Sequence, residues 1–305
     1  MATETENGVA APALAAMSAA LFFGASVVAT RFVVGETGAV TLAFLRFAIG
    51  TACIASIAVV TSGVGIRRKD IPATLALGAL FFGVFPWLFS QSLLFIPASV
   101  GAIILATMPV LTLVMAALVG IEALTRNKLI GTGLAFAGVA IAVASPGSFA
   151  GMTGVDLWIG AALMLATSLC GAIYNVFSRP FLQRNNSIAF TTVSMMSGAA
   201  FLLPFAAFEA AMVGLPAIST SGLLAVLFLG TLGGGIGFYL WIWALQRTTP
   251  TKVAIFVTLN PIAAIGLAVL LLGEPFRPII ALGLVLVLAG IVCVSVPMRA
   301  KGPAA

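Results

Sequence analysis

The sequence alternates long apolar runs with short polar stretches along its whole length. Charged residues or Pro/Gly turns separate ten such runs, at 11–33, 39–62, 71–95, 99–121, 128–145, 156–178, 187–209, 220–246, 250–272 and 278–297. A membrane-spanning helix needs roughly 20 mainly apolar residues to cross about 30 Å of hydrocarbon. The pattern therefore predicts ten transmembrane helices joined by short connections, as is typical of adjacent antiparallel helices.

The composition supports a membrane environment. Hydrophobic residues make up 62% of the 305 positions and charged residues only 7%, whereas a soluble domain carries roughly 25% charged residues. So little polarity cannot cover a surface that faces water, so we expect the lipid bilayer to be the solvent. Glu4 and Glu6 precede the first run without any lysine or arginine. This is not the pattern of a cleaved signal peptide, and the first run should stay as a helix.

The net charge of +6 could indicate nucleic acid, but the basic residues lie between the apolar runs and act as orientation signals. With the N-terminus in the cytoplasm, 11 of the 14 basic residues are cytoplasmic: Arg67, Arg68, Lys69, Arg126, Lys128, Arg179, Arg184, Arg247, Lys252, Arg299 and Lys301. Arg31 and Arg277 fall on the opposite side, and Arg46 lies inside the second run. The bias predicts an inner-membrane protein with both termini cytoplasmic and no nucleic-acid partner.

The chain contains an internal repeat. A shift of 152 residues overlays the third to fifth runs on the eighth to tenth without a gap. The overlaid pairs include Gly78 with Gly230, Gly83 with Gly235, Pro109 with Pro261, Glu122 with Glu274, Gly131 with Gly283 and Gly138 with Gly290. Chance matching of apolar residues does not explain prolines, glutamates and glycines in one register. The first two runs match the sixth and seventh more loosely, with Gly24 on Gly171 at a shift of 147.

A repeat with an odd number of helices enters the membrane from opposite faces in its two copies, as in transporters whose site lies near the midplane. The predicted fold class is an all-α membrane protein with two inverted five-helix repeats. The repeats occupy 11–145 and 157–297, joined by a loop at 146–156, with cytoplasmic tails at 1–10 and 298–305.

Three features resemble the drug/metabolite transporter superfamily, and specifically its EamA-type exporters. They are the two halves, the Leu272-Gly273-Glu274 turn and the Pro109/Pro261 pair. In the first half the turn reads Gly120-Ile121-Glu122, which departs from the usual Leu-Gly-Glu. The aromatic-rich third and eighth runs look most like the YddG-type aromatic amino-acid exporters. The resemblance implies ten helices, outward transport and a central cavity shared by both halves.

Arg46 is the first candidate for a substrate-binding residue. It lies about seven residues into the second run, where an arginine costs about 2.5–3.5 kcal/mol to insert and usually faces a cavity or a partner. A buried guanidinium would attract a substrate carboxylate. The alternative is an arginine whose side chain extends to the outer interface.

Polar and aromatic side chains in the helices supply further candidates. Lipid offers no hydrogen-bond partner to them, so they could line a slot for an aromatic solute. An interfacial aromatic belt is the alternative for the tryptophans, and a hydrogen bond between helices is the alternative for the asparagine of the sixth run. These candidates are Trp87, Gln91, Tyr174, Asn175, Tyr239 and Trp243.

Pro109 and Pro261 are predicted to kink the fourth and ninth helices, because proline removes a backbone hydrogen bond. Met108 and Asn260 lie beside them, so both become candidates for substrate contact if the freed carbonyls face a cavity. A purely structural kink is the alternative. Gly234 belongs to a glycine run without the Gly-Lys-Ser/Thr of a phosphate loop, and it should permit close packing or a flexible gating helix.

The residues missing from the chain limit its chemistry. Histidine is absent and the three cysteines lie inside apolar runs, so we expect no metal, no cofactor and no enzymatic site. The eight acidic residues fall in tails, loops or run ends. Glu122 and Glu274 are predicted to cap the N-termini of the fifth and tenth helices, where negative charge is favourable.

These observations predict a monomeric exporter of small metabolites, chiefly neutral or aromatic amino acids, that works by alternating access. Its partners would be the bilayer and a small-molecule substrate. Exporters of cationic drugs or of other metabolites remain alternatives, as does a membrane scaffold or receptor that transports nothing.

Proton relays use intramembrane acids or histidines, and the sequence offers no clear candidate. We therefore predict facilitated transport down the substrate gradient. Uptake of labelled amino acids into proteoliposomes should proceed without an imposed gradient of protons or sodium. A strict requirement for either gradient would contradict this prediction.

Overall fold

The protein is described by a computed structural model. The description covers residues 2–61, 63, 65–121, 125–143, 154–247, 256 and 259–295. Glu122, most of the predicted loop at 146–156 and the predicted tail at 298–305 lie outside these residues. Across the described residues the chain is helical and contains no strand, which confirms the all-α class.

The described helices follow one another with short connections. They are α1 (Ala2–Thr37), α2 (Ala39–Thr61), α3 (Arg68–Phe95), α4 (Ala98–Leu118), α5 (Arg126–Val143), α6 (Gly154–Arg184), α7 (Ser187–Val213), α8 (Thr220–Arg247), α9 (Leu259–Leu272) and α10 (Pro278–Ser295). Within the described residues, seven helices are long and apolar enough to cross a membrane, namely α1 to α4 and α6 to α8. The count of ten transmembrane helices stays a prediction. The first helix includes most of the segment predicted as a tail.

Both α3 and α8 contain a π-helical turn, at Ala79–Val84 and at Thr231–Ile236. The two turns coincide at both ends when the chain is shifted by 152 residues. Because π turns are rare and occur mostly as short insertions in α-helices, two of them in one register are strong evidence for the repeat.

The contact between α5 and α10 shows that the repeats are inverted. A Cβ atom on Gly138 would lie 2.6 Å from the carbonyl oxygen of Gly283, and one on Gly290 would lie 2.5 Å from that of Gly131. Gly131 and Gly138 are the repeat equivalents of Gly283 and Gly290. Gly138, the later glycine of α5, meets Gly283, the earlier glycine of α10, so the two helices run antiparallel. Because α5 and α10 are equivalent helices, the two repeats are inserted in opposite directions.

The two ends of the helix bundle differ in charge. At one end, here called the Glu end, lie Glu36, Glu209 and Glu274, where α1, α7 and α9 finish. At the other, here called the Arg end, lie Arg67 and Arg184, where α3 begins and α6 finishes.

The start of α1 and the finish of α10 both lie at the Arg end. The thiol of Cys293 donates to the carbonyl of Asn127 at 3.4 Å, which joins the last turns of α10 to the first turn of α5. The assignment of this end to the cytoplasm stays a prediction.

The largest apolar core fills the Glu end. Leu93, Ile96, Ile103, Ile104 and Met164 have no exposed surface and come from α3, α4, α6 and the connection before α4. Because lipid chains are as apolar as these side chains, van der Waals packing stabilises such a core between membrane helices. This core packs helices of both repeats together toward the Glu end.

The fourth helix is interrupted where the proline pair predicts a kink. It consists of Ala98–Leu105 and Met108–Leu118, with a turn at Ala106 and Thr107 and with Pro109 in the first turn of the second piece. Pro261 lies buried near the start of α9. The chain bends ahead of Pro109 because proline cannot donate the helical hydrogen bond.

Glu274 was predicted to cap α10, and this prediction was wrong. Its carboxylate accepts hydrogen bonds from the backbone N–H of Ala98 at 2.7 Å and of Ser99 at 3.1 Å, so it caps α4 of the first repeat and not α10. The helix start of α4 lies beside the end of α9 at the Glu end, and its free N–H groups need acceptors.

We predict that Gly138→Ala destabilises the protein by about 1–3 kcal/mol, because its Cβ would press on the backbone of α10 and overpack the contact. Thermal unfolding of the purified protein in detergent should show a lower Tm. Gly133→Ala is the matched control on the same helix, since a Cβ there meets nothing within 4 Å. An equal Tm for the two variants would contradict this account of the α5–α10 contact.

Candidate functional site

Arg46 lies against the π turn of α8. Its Nη2 atom donates to the carbonyl of Gly233 at 3.4 Å, and its guanidinium carbon lies 5.3 Å from the ring centroid of Phe47. Its Nε atom is buried and has no hydrogen-bond partner among the described residues. Gly233 lies about half-way along α8, so the guanidinium is directed toward the middle of the bundle and away from the helix ends.

The glycine run allows α2 to approach this turn closely. A Cβ on Gly230 would lie 2.5 Å from the Cβ of Ile49, and one on Gly234 would lie 3.6 Å from the carbonyl oxygen of Arg46. A larger residue at Gly230 would push α2 and α8 apart. A Cβ on Gly234 would make only ordinary van der Waals contact with α2, so its roles in packing and in gating stay predictions.

Two hydroxyl side chains of α1 face the same region. A Cβ on Gly233 would collide with the Oγ atom of Ser26. Thr30 follows one helical turn later on the same face of α1, and its Oγ1 atom is buried without a hydrogen-bond partner in the described part of the chain. The hydroxyl of Ser26 already donates to the carbonyl of Phe22 at 2.8 Å. An unsatisfied buried polar group costs about 1–3 kcal/mol, so the hydroxyl of Thr30 is suited to an acceptor that the described residues do not supply.

The charge of Arg46 is not neutralised by an acidic residue that the structure describes. An ion pair joins Arg184 to Asp70, 3.5 Å apart at the Arg end. Glu209 and Glu274 are committed to hydrogen bonds at the Glu end. A cation inside the bundle without an anion favours a negatively charged ligand group.

An aromatic cluster begins beside Arg46 and connects both repeats. Its ring centroids lie 4.2–6.3 Å apart, within the range of favourable aromatic pairs. The rings come from α1, α2, α3, α6 and α8. The aromatic cluster consists of Phe23, Phe47, Phe81, Phe82, Tyr174 and Phe238.

Two of the predicted site residues lie next to each other on α6. Tyr174 is buried and stacks on Phe81 with centroids 4.2 Å apart. The side-chain amide of Asn175 donates to the hydroxyl of Thr112 at 3.3 Å and lies 3.8 Å from the sulfur of Met108. Asn175 and Met108 therefore meet at the α4–α6 contact, where Asn175 makes the hydrogen bond between helices that was the alternative reading.

Tyr239 and Asn260 lie near other parts of this region. Tyr239 packs against the buried residues around Tyr174. The backbone of Asn260 approaches α1, since a Cβ on Gly24 would lie 2.6 Å from its carbonyl oxygen. Contact of either side chain with substrate stays a prediction.

The two tryptophans predicted as site residues, Trp87 and Trp243, pack against residues other than Arg46. The ring of Trp87 contacts Phe205 of α7, with centroids 5.5 Å apart. The ring of Trp243 lies 4.2 Å below the guanidinium of Arg247 at the Arg end. Gln91 is half-buried one turn beyond Trp87. Trp87 and Gln91 are neighbours on one face of α3 and lie apart from Trp243, and the contact of all three with substrate stays a prediction.

Thr30, Ser26 and Phe47 were not predicted as site residues from the sequence. Ser26 and Thr30 form an i, i+4 polar pair in an otherwise apolar run, which places them on one helix face. That spacing was the available signal. Phe47 gave no signal beyond its position next to Arg46.

A sequence profile of the EamA-like transporter family matches residues 11–144 and 158–296. The two matches coincide with the two halves defined by the repeat. They confirm the resemblance to the drug/metabolite transporter superfamily.

Several named proteins are similar to this chain over most of their length. An uncharacterized transporter of Archaeoglobus fulgidus is 28% identical over 270 residues, covering 88% of this chain and 93% of that protein. A probable terminal-alkyne amino-acid exporter of Streptantibioticus cattleyicolor is 25% identical, covering 80% and 81%. A probable amino-acid metabolite efflux pump of Salmonella typhimurium is 28% identical, covering 74% and 78%.

A protein of known crystal structure has the same fold, with a TM-score of 0.66, 20% sequence identity and coverage of 94% of this chain and 96% of that one. The profile matches span both repeats, and the inverted glycine contact and paired π turns fit two copies of one helical unit. The chain is a multi-pass membrane protein that belongs to the EamA-like transporter family.

Proposed function

We propose that this protein exports neutral amino acids, chiefly aromatic ones, by alternating access between its two repeats. The observation that carries the proposal is Arg46, a cation inside the bundle with an unsatisfied Nε atom. An α-carboxylate is the acceptor that such a site lacks, and each hydrogen bond to a charged group contributes about 1.5–3 kcal/mol.

The aromatic cluster supports the choice of side chain. In the proposed pose the carboxylate lies between Arg46 and Thr30, and an apolar or aromatic side chain lies among the rings that begin at Phe47. Tyr174 and Tyr239 would contact this side chain. Aromatic pairs contribute about 0.5–1.5 kcal/mol beyond the burial of apolar area.

The relatives support amino acids as the substrate class. Two of them are named for amino-acid export or amino-acid metabolite efflux. By analogy, we place this protein in the inner membrane with both termini cytoplasmic, transporting outward and without obligatory ion coupling. Ten transmembrane helices in one polypeptide would then form a complete transporter as a monomer.

The remaining predicted residues are proposed to line the path on either side of the central site. They are Trp87, Gln91, Met108, Asn175, Trp243 and Asn260, with Pro109, Pro261 and Gly234 as points of bending or gating. Their positions range from the Glu end at Trp87 to the Arg end at Trp243.

An exporter of organic cations is the second candidate. The aromatic cluster favours it, because ring faces attract cations. The positive charge of Arg46 opposes it. The two candidates therefore differ in the group that the site requires. An amino-acid exporter requires the carboxylate of its substrate, whereas a cation exporter requires a positively charged amine.

We predict that Arg46→Gln lowers the apparent affinity for phenylalanine at least tenfold, because the carboxylate loses its charged partner. Efflux of labelled phenylalanine from proteoliposomes would measure the effect. Arg46→Lys should retain part of the affinity. Arg179→Gln, the same change at an exposed position of α6, is the matched control and should behave as the unchanged protein.

Competition on the unchanged protein separates the two candidates. Phenethylamine keeps the ring and the amine of phenylalanine but lacks the carboxylate, and it should compete poorly. Efficient competition by phenethylamine, together with an Arg46→Gln variant that transports phenylalanine normally, would replace amino-acid export with cation export.

A further inference from the structure

Besides Glu274, two carboxylates at the Glu end accept hydrogen bonds from the opposite repeat. Glu209 of α7 accepts from the backbone N–H of Thr41 at 2.9 Å and from its hydroxyl at 2.5 Å. Glu36 of α1 accepts from the backbone N–H of Ser219 at 2.9 Å. Thr41 and Ser219 lie at the starts of α2 and α8, so both contacts join a helix end of one repeat to a helix start of the other.

The contact of Glu36 has a counterpart at the Arg end. The repeat equivalent of Ser219 is Arg67, 152 residues earlier. The backbone N–H of Arg67 donates to the side chain of Asn185 at 2.9 Å, and the amide of Asn185 donates to Asp70 at 2.8 Å. The two contacts are therefore equivalent. At each end, a side chain beside the connection between the first two helices of one repeat accepts a hydrogen bond from the backbone at the start of the third helix of the other repeat.

Among the residues that the structure describes, the contact of Glu209 has no such counterpart. Gly50 and Gly198 are equivalent because each packs on the π turn of the other repeat. Aligning them places Thr61 opposite Glu209. The hydroxyl of Thr61 donates to the carbonyl of Ile57 in its own helix at 2.7 Å.

In the described part of the chain, the start of α7 also has no acceptor from the end of α2. Its own residue Asn186 caps it, accepting from the N–H groups of Ile188 at 2.9 Å and Ala189 at 3.2 Å. The start of α2 follows Gly38, which has no side chain to act as a cap, so Glu209 supplies the acceptor from the other repeat.

Alternating access in an inverted-repeat protein exchanges the arrangement of the two repeats, so the end that is closed becomes open. A contact that exists at both ends is compatible with both states. A contact that exists only at the closed end stabilises one state alone. We take the Glu end as the closed one, because buried residues of both repeats, Leu93 and Ile103 with Ala264 and Ala268, pack together toward it.

We infer that the Glu209–Thr41 contact is a latch that holds the Glu end closed and breaks when that end opens. The Glu36–Ser219 and Asn185–Arg67 contacts are hinges that persist through the transport cycle. Glu274 is not assigned to either group, because its repeat equivalent Glu122 lies outside the described residues. The inference concerns the conformational cycle and holds for any substrate.

The latch can be tested by measuring distances between paired spin labels in nanodiscs without substrate. The three native cysteines are first replaced, and one label pair reports each end. Gly35 and Met212 are exposed at the Glu end, and a Cβ at Gly35 meets nothing within 4 Å. Val60 and Gln183 are exposed at the Arg end.

We predict that Glu209→Gln raises the ratio of open to closed molecules at the Glu end at least tenfold, because a ligand or contact shifts an equilibrium by its differential stabilisation of the two states. The labels at the Arg end should move together in the same sample. Thr41→Val removes only the hydroxyl donor and should produce a smaller shift in the same direction.

Glu36→Gln is the matched control, since it alters a carboxylate of the same end that we assign to a hinge. It should leave the balance between open and closed molecules unchanged. The inference is overturned if Glu209→Gln and Thr41→Val both give the distances of the unchanged protein, or if Glu36→Gln shifts the Glu end as much as Glu209→Gln does. Labels placed without substrate keep this result separate from the identity of the transported molecule.

Discussion

The structure depends on one constraint: within lipid, the protein itself must satisfy every backbone N–H and C=O group. Helices meet this requirement in their interiors but leave their first N–H groups free. At the Glu end these groups receive carboxylates from the opposite repeat, at Thr41 from Glu209 and at Ala98 from Glu274. The acids that a soluble protein would expose to water therefore hold the two repeats together.

The two repeats provide a symmetric scaffold, and its departures from symmetry are where function is expected. Equivalent helices make equivalent contacts at the π turns and at the α5–α10 contact. When Gly50 is aligned with Gly198, Arg46 falls on Ser194, a buried residue of α7. One half thus carries a cation where the other carries a hydroxyl, which gives the central region a direction that the scaffold alone lacks.

Much of the fold could be predicted because it depends on local patterns. The spacing of glycines and prolines identified the repeat and the interruption before Pro109, since these residues impose backbone conformations of their own. The partner of Glu274 could not be predicted, because a cap that joins residues 176 positions apart leaves no local trace. The surroundings of Arg46 were likewise set by the packing of α1 and α8 against α2, which periodicity does not specify.

The α5–α10 contact has a consequence for how such a chain arose. Gly138 meets Gly283 as Gly290 meets Gly131, so each side of the contact is the same surface seen in reverse. A self-complementary surface of this kind is the mark of a two-fold homodimer. A single unit of five helices with this surface would carry what it needs to pair with a second copy inserted upside down, and one polypeptide that contains both copies would make that pairing permanent.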